Sequence, residues 1–258
     1  MIGVSRVAVI IILLLVPAAA WATHPLITDD AETQGKGKFQ LEINGQYDHG
    51  QELVAGASLK ERGGKATSIL TYGLAERSDI ILTVPYQWDK VRVNDVTISD
   101  QKGISDSTLE VKWRFFDKEG LSLSLKPGLI IPTGNDDRSL GSGKVGYTSF
   151  FILTREREPW EFHLNLGYKR NENTSDQRKD IWHASVAAVR EVSKKLKVVA
   201  DSGIESNEDK SSNTSHAFLL GGVIYSVTEN FDIDFGVKAG LNKAEIDHSL
   251  LAGITYKF

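Results

Sequence analysis

Apolar and polar residues alternate with a period of two along about a dozen stretches of this 258-residue chain, and few folds accept that pattern. Successive side chains of a β-strand point to opposite faces, so alternation marks strands with one apolar and one polar environment. Near the carboxy-terminus Leu250, Ala252, Ile254, Tyr256 and Phe258 share one face, and Leu251, Gly253, Thr255 and Lys257 share the other. Upstream, Ile80, Leu82, Val84, Tyr86 and Trp88 fall together, as do Trp160, Phe162, Leu164, Leu166 and Tyr168. From Phe39 onward the pattern predicts about twelve strands, each near the roughly 9–11 residues that cross a bilayer when tilted. Residues 145–153 and 216–226 are apolar on both faces and blur the reading. The final strand has to pair or leave an open edge. In a closed barrel its partner is the strand that begins at Phe39.

The connections carry independent information. Short ones at residues 75–79, 116–120, 155–159, 191–195 and 226–230 alternate with polar and mostly longer ones at 48–64, 90–105, 132–144, 170–180, 206–215 and 242–248. A meander with both ends on one side does this when one rim carries tight turns and the other long loops. A β-sandwich has no reason to alternate so regularly. The expected fold is all-β: a transmembrane, up-and-down, antiparallel β-barrel over residues 39–258, with short turns and termini in the periplasm. Aromatics then sort to the strand ends. Tyr72, Phe115, Trp160, Phe162, Tyr225, Phe231, Tyr256 and Phe258 fall at one rim, and Tyr47, Tyr86, Trp88, Tyr147, Tyr168 and Trp182 at the other. Two such belts belong at membrane interfaces.

Composition excludes other classes. No run reaches the roughly 18 apolar residues of a membrane helix. The absence of cysteine rules out a disulfide scaffold, and a net charge of −4 gives no basic face for nucleic acid. At the amino-terminus Arg6 precedes an apolar segment at residues 7–16, followed by Ala20-Trp21-Ala22. That is the layout of a signal peptide over residues 1–22. Residues 23–38 lack a sustained period and read as a periplasmic lead-in.

If the apolar faces meet lipid, the polar faces turn inward. Glu110, Lys112, Arg114, Lys126, Glu161, His163, Lys197, Asp201, Asp232, Asp234 and Lys238 are then the candidates for lining a lumen, because buried charge is costly unless paired or hydrated. Strand parity lets Glu110 face Lys126 and Asp234 face Lys257, each a supporting cross-strand pair. Such charges either brace and hydrate the wall or set the selectivity of a pore. His183 and Ser185 resemble the His-x-Ser of an outer-membrane phospholipase, but they should point away from lipid, and the Asn-Gly of that motif is absent. Nearness in sequence does not make a triad. No metal spacing stands out among the six histidines, and Gly141-Ser142-Gly143-Lys144 lacks the setting of a phosphate loop. No cofactor and no catalytic residue is expected.

Several motifs carry a family resemblance. They are His24-Pro25-Leu26-Ile27-Thr28-Asp29-Asp30, Gln34-Gly35-Lys36-Gly37-Lys38-Phe39-Gln40-Leu41-Glu42, Tyr72-Gly73-Leu74 before Asp79, Val84-Pro85-Tyr86, and Pro127-Gly128-Leu129 with Pro132-Thr133-Gly134. Together they resemble bacterial outer-membrane proteins described as transporters of the MetA pathway of phenol degradation. The resemblance implies an outer-membrane channel for passive uptake of small, hydrophobic or aromatic compounds, and brings no catalytic set. Its implied partners are outer-membrane lipid and lipopolysaccharide, a small-molecule solute, and the barrel-assembly machinery acting on the strand that ends at Phe258. The alternatives are a plugged structural or adhesive barrel whose outer loops bind a partner and, behind it, a lipid-active outer-membrane enzyme.

Overall fold

The computed structural model describes residues 24–54 and 57–258. The expected signal peptide lies outside the described residues. The strands are β1 (Phe39–Val54), β2 (Ala57–Ala75), β3 (Ser78–Val93), β4 (Val96–Ile104), β5 (Ser107–Lys118), β6 (Leu121–Ile131), β7 (Gly146–Arg157), β8 (Trp160–Arg170), β9 (Asp180–Ser193), β10 (Leu196–Glu205), β11 (His216–Thr228), β12 (Phe231–Gly240) and β13 (His248–Lys257). Neighbours pair antiparallel, and the sheet closes because β1 pairs both β2 and β13 while β2 pairs β3. At the seam Gln40 lies opposite Lys257 and His49 opposite His248. β3 is shared: its first half pairs β5 and its second half pairs β4. β4 and β5 therefore fill one position of the wall, interrupted at Ser105 and Asp106, and the barrel has the twelve positions expected.

Each of the five short connections is a two-residue turn. In one of them Glu119 and Gly120 take φ of 52° and 72°, the left-handed pair whose twist matches that of flanking strands and which glycine adopts without strain. At the opposite rim two expectations need correcting. Residues 48–64 and 90–105 are mostly strand, because β1–β2 and β3–β4 continue as hairpins, and β2 runs for 19 residues. A strand that rises beyond the apolar band meets water on both faces, so its sequence turns polar and imitates a loop. Backbone ladders hold these extensions, and their wet faces carry ion pairs, with Lys60 2.9 Å from Asp95 of the β3–β4 turn and Lys90 3.0 Å from Asp100.

Burial is inverted relative to a water-soluble protein. Val186, Leu166 and Phe235 point outward and are exposed, whereas Lys112, Lys197, Asp201 and Asp232 are buried. Among the described residues, buried polar side chains outnumber buried apolar ones. Lipid solvates the first set, and the second needs partners inside. The two strands with blurred alternation have a local reason. Ile152 of β7 and Phe218, Leu220 and Ile224 of β11 are apolar residues on the inner face. The β11 trio joins Leu26, Ala187, Val189, Val199 and Leu251 in an internal apolar cluster. Aromatic rings run across the seam at the short-turn rim, with centroids 4.5 Å apart for Phe39 and Tyr72, 5.5 Å for Phe39 and Phe258, and 5.7 Å for Tyr256 and Phe258. Tyr168 and Trp182 form a 4.9 Å pair at the other rim.

The outward face of mid-strand Val186, 54% exposed, supplies a test. Val186→Arg should lower folding stability in lipid vesicles by about 2–4 kcal/mol, the cost of a cation on the lipid face near the bilayer centre. Urea titration of bilayer-folded protein measures it, and an unchanged midpoint would contradict a lipid-facing position.

Candidate functional site

The inner wall is organised around the segment that precedes β1. Residues 24–38, expected as a periplasmic lead-in, run inside the barrel instead. The segment touches the wall strand after strand. His24 Nδ1 lies 2.5 Å from Asp234 on β12. The Asp201 carboxylate on β10 accepts from the backbone N–H of Ile27 and of Thr28, and from the Thr28 hydroxyl, at 2.7, 2.9 and 2.6 Å. Asn165 on β8 accepts from the Asp29 N–H at 2.9 Å and donates to its carbonyl at 2.7 Å. The Ala31 N–H donates to Thr154 on β7, and Ser124 on β6 donates to the Ala31 carbonyl. Further on, Gln34 N–H donates to Asp79 on β3. A backbone with no strand partner would be costly to bury, and here wall side chains supply the missing partners.

Charge reinforces the grip. Asp29 bridges Lys112 of β5 and Lys126 of β6 at 2.9 and 2.8 Å, and Glu32 pairs with Arg114 of β5. Hydrogen bonds of this type are about twice as strong as neutral ones. Small residues make the room. A side chain at Gly222 or Gly236 would run into the Pro25 ring at 2.7 and 2.8 Å. A side chain at Gly73 would collide with the Gly35 carbonyl, where Gly37 and Lys38 exchange backbone hydrogen bonds with Gly73.

Lys112, Arg114, Lys126, Asp201 and Asp234 thus meet on one ligand, the chain's own N-terminal segment. His163 reaches it indirectly through a 2.9 Å hydrogen bond with Thr154. Glu110 lines a cavity, and the remaining four make local pairs: Lys197 with Glu161 at 2.9 Å, Lys238 with Glu245 at 2.7 Å, and Asp232 with Lys257 at 3.3 Å. Two expected pairings are corrected. Glu110 lies opposite Gly128, so Lys126 turns to Asp29 and not to Glu110. Asp234 lies opposite Gly253, which gives Lys257 to Asp232 and Asp234 to His24. In both, the connection sets a register that keeps the parity but is displaced, by two residues for Glu110 and by four for Asp234. The segment's own acids, Asp29 and Glu32, and the wall groups Asn165, Thr154 and Asp79 were missed. The available signal was an acidic run ahead of β1 and a cationic inner face on β5 and β6.

Among the described residues, cavities follow one another along the interior, three of them joined by shared lining. The largest, about 590 Å³ at the long-loop rim, is lined by residues including Glu61, Asp209, Lys243 and Asp247. It shares His216 and Glu245 with a second of about 290 Å³ beside Phe218 and Lys238. A third, about 220 Å³, lies between the segment and the inner faces of β1–β3, β5 and β6, lined by Leu26, Asp30, Glu42, Ile69, Ile81, Glu110 and others. Ile27 is common to the second and third. On the outer loops, hydrogen bonds from Lys179 and Arg170 hold the Glu172 carboxyl below its ordinary range. His183 bridges Glu205 and Ser185 at 3.1 and 2.9 Å. That is the order of acid, base and hydroxyl, but Ser185 is buried and lines none of these cavities.

Comparison with known proteins agrees with this architecture. The model of the family described as "Putative MetA-pathway of phenol degradation" matches residues 22–258. The chain belongs to that family. Among solved structures, an outer-membrane channel from Pseudomonas putida F1 superposes with a TM-score of 0.68 at 14% identity, covering 89% of this chain and 98% of that one. The KdgM porin gives 0.55 at 10% identity, covering 84% and 99%, and the NanC porin 0.55 at 8%, covering 84% and 100%. No curated protein matches the sequence significantly. The fold is that of an outer-membrane β-barrel.

Asp201 is the test of the segment's seating. Asp201→Ala should speed amide hydrogen exchange at Ile27 and Thr28 about tenfold or more, since hydrogen bonds to a charged group contribute about 1.5–3 kcal/mol. Amides of β6 and β7 should stay protected.

Proposed function

We propose that this protein is a passive channel for small molecules across the outer membrane. The observation that carries this reading is the row of cavities from the long-loop rim past the N-terminal segment. A barrel serving only as an anchor has no need of an interior that is polar, roomy and joined by shared lining residues. The family description points to small, hydrophobic or aromatic solutes, and the mixed walls of the inner cavity, Leu26, Ile69 and Ile81 beside Glu42 and Glu110, suit a solute with an apolar body and a polar edge. Within this reading the eleven inward candidates have two duties. Lys112, Arg114, Lys126, Asp201 and Asp234 seat the segment, and the others tune the field along the lumen. The Glu205–His183–Ser185 chain braces β9 against β10. The apolar band meets lipid and lipopolysaccharide, and the closing strand ending at Phe258 is the part offered to the barrel-assembly machinery.

A second reading, a plugged structural barrel, draws on the segment's many contacts. Recording in planar bilayers separates the two. The channel reading expects open current from the purified protein, and Lys112→Gln should move ion selectivity toward cations, because Asp29 then keeps one partner cation in place of two. Assembly should be unchanged. A wild-type barrel silent at every applied voltage would favour the plugged form.

A further inference from the structure

Among the described residues, Ile27 alone lines both the second and the third of these cavities. It faces the second cavity, beside His183, Phe218 and Lys238, and also the third, beside Leu26 and Lys112. The residue is 40% exposed, an apolar group left uncovered inside a barrel whose inner surface is mostly polar. The uncovered position is not slack in the chain. Its own N–H and both donors of Thr28 end on the Asp201 carboxylate, and the next residue is clamped by Lys112, Lys126 and Asn165. The backbone on either side is therefore fixed by ionic hydrogen bonds, and the branched side chain projects from a rigid mount.

We propose that Ile27 is the specificity-determining residue of the channel: a steric and apolar constriction between the outer and inner cavities that sets the size limit and disfavours strongly hydrated solutes. This rests on the channel reading above. A molecule passing from one cavity to the other slides over a hydrocarbon surface that offers no hydrogen bond. A solute that holds its water tightly loses part of its hydration there without compensation. A compact solute with an apolar face loses little. Selection by wall charge alone would discriminate by sign, whereas a constriction at Ile27 discriminates by width and hydration among neutral molecules.

The test is swelling of proteoliposomes in glycerol, arabinose and glucose with the full-length protein, Ile27→Ala and Ile27→Trp, folding being verified by heat-modifiable migration. Ile27→Ala should speed entry severalfold, most for glucose, and flatten the ranking by size. Ile27→Trp should slow entry of all three severalfold. A wild-type protein that admits none of the solutes while Ile27→Ala admits them would also support the constriction. Equal rates for folded wild type and both variants would overturn it and leave the channel reading standing. No entry through any of the three folded proteins would overturn both. Should Ile27→Trp fail to fold, Ile27→Ala together with Ile27→Thr, which keeps the branch but adds a hydroxyl, decides the matter by the same criteria.

Discussion

Closure of the sheet is the constraint from which the remaining structure follows. In hydrocarbon a backbone N–H or C=O without a partner costs several kcal/mol, so the strand beginning at Phe39 and the strand ending at Lys257 must find each other. The β1–β13 seam does this over ten residue pairs, from Gln40 opposite Lys257 to His49 opposite His248. Once closure is required, side-chain parity is no longer free. One residue of slip would carry Glu42 and Asn44 into lipid and Leu41 and Ile43 into the lumen. The exposed hydrophobic surface and the buried charges are two consequences of one hydrogen-bond pattern.

A closed barrel of this size then has an interior to fill. The β5–β6 register runs from Glu110 opposite Gly128 to Trp113 opposite Leu125, which brings Lys112 and Lys126 to one level on neighbouring strands. Two ammonium groups that close repel each other unless something negative stands between them. Asp29 stands there, from a segment that belongs to no strand. The segment therefore serves as counter-charge as well as filling, and the wall side chains bound to its backbone do what ordered water does elsewhere.

Much of this was legible in the residues. Alternation, turn spacing and the aromatic belts led to the twelve positions, the closure and the outward faces, because lipid on one side imposes a strict period. The misreadings have physical causes. The stretches at 48–64 and 90–105 looked like loops because strands above the membrane are wet on both faces. The ion pairs came out shifted because parity constrains register only to multiples of two, and the connection, with a bulge between Arg114 and Phe116 in the β5–β6 pair, chooses among them. Residues 24–38 gave no periodic signal because the segment crosses from one wall strand to the next, so no repeating environment writes a pattern into the sequence. The segment around which the inner wall is organised lies in the stretch with the least regular composition.

The course of the segment past β12, β10, β8, β7, β6, β5 and β3 has one more consequence. Its attachment is shared among many modest bonds arranged in chain order, with Pro25 nested against Gly222 and Gly236 at one end and Gly37 paired to Gly73 at the other. An attachment of this kind has no pivot. Losing one contact leaves its neighbours in place, because each wall strand holds its own stretch of the segment. The seating is thus a property of the wall as a whole, and no single strand carries it.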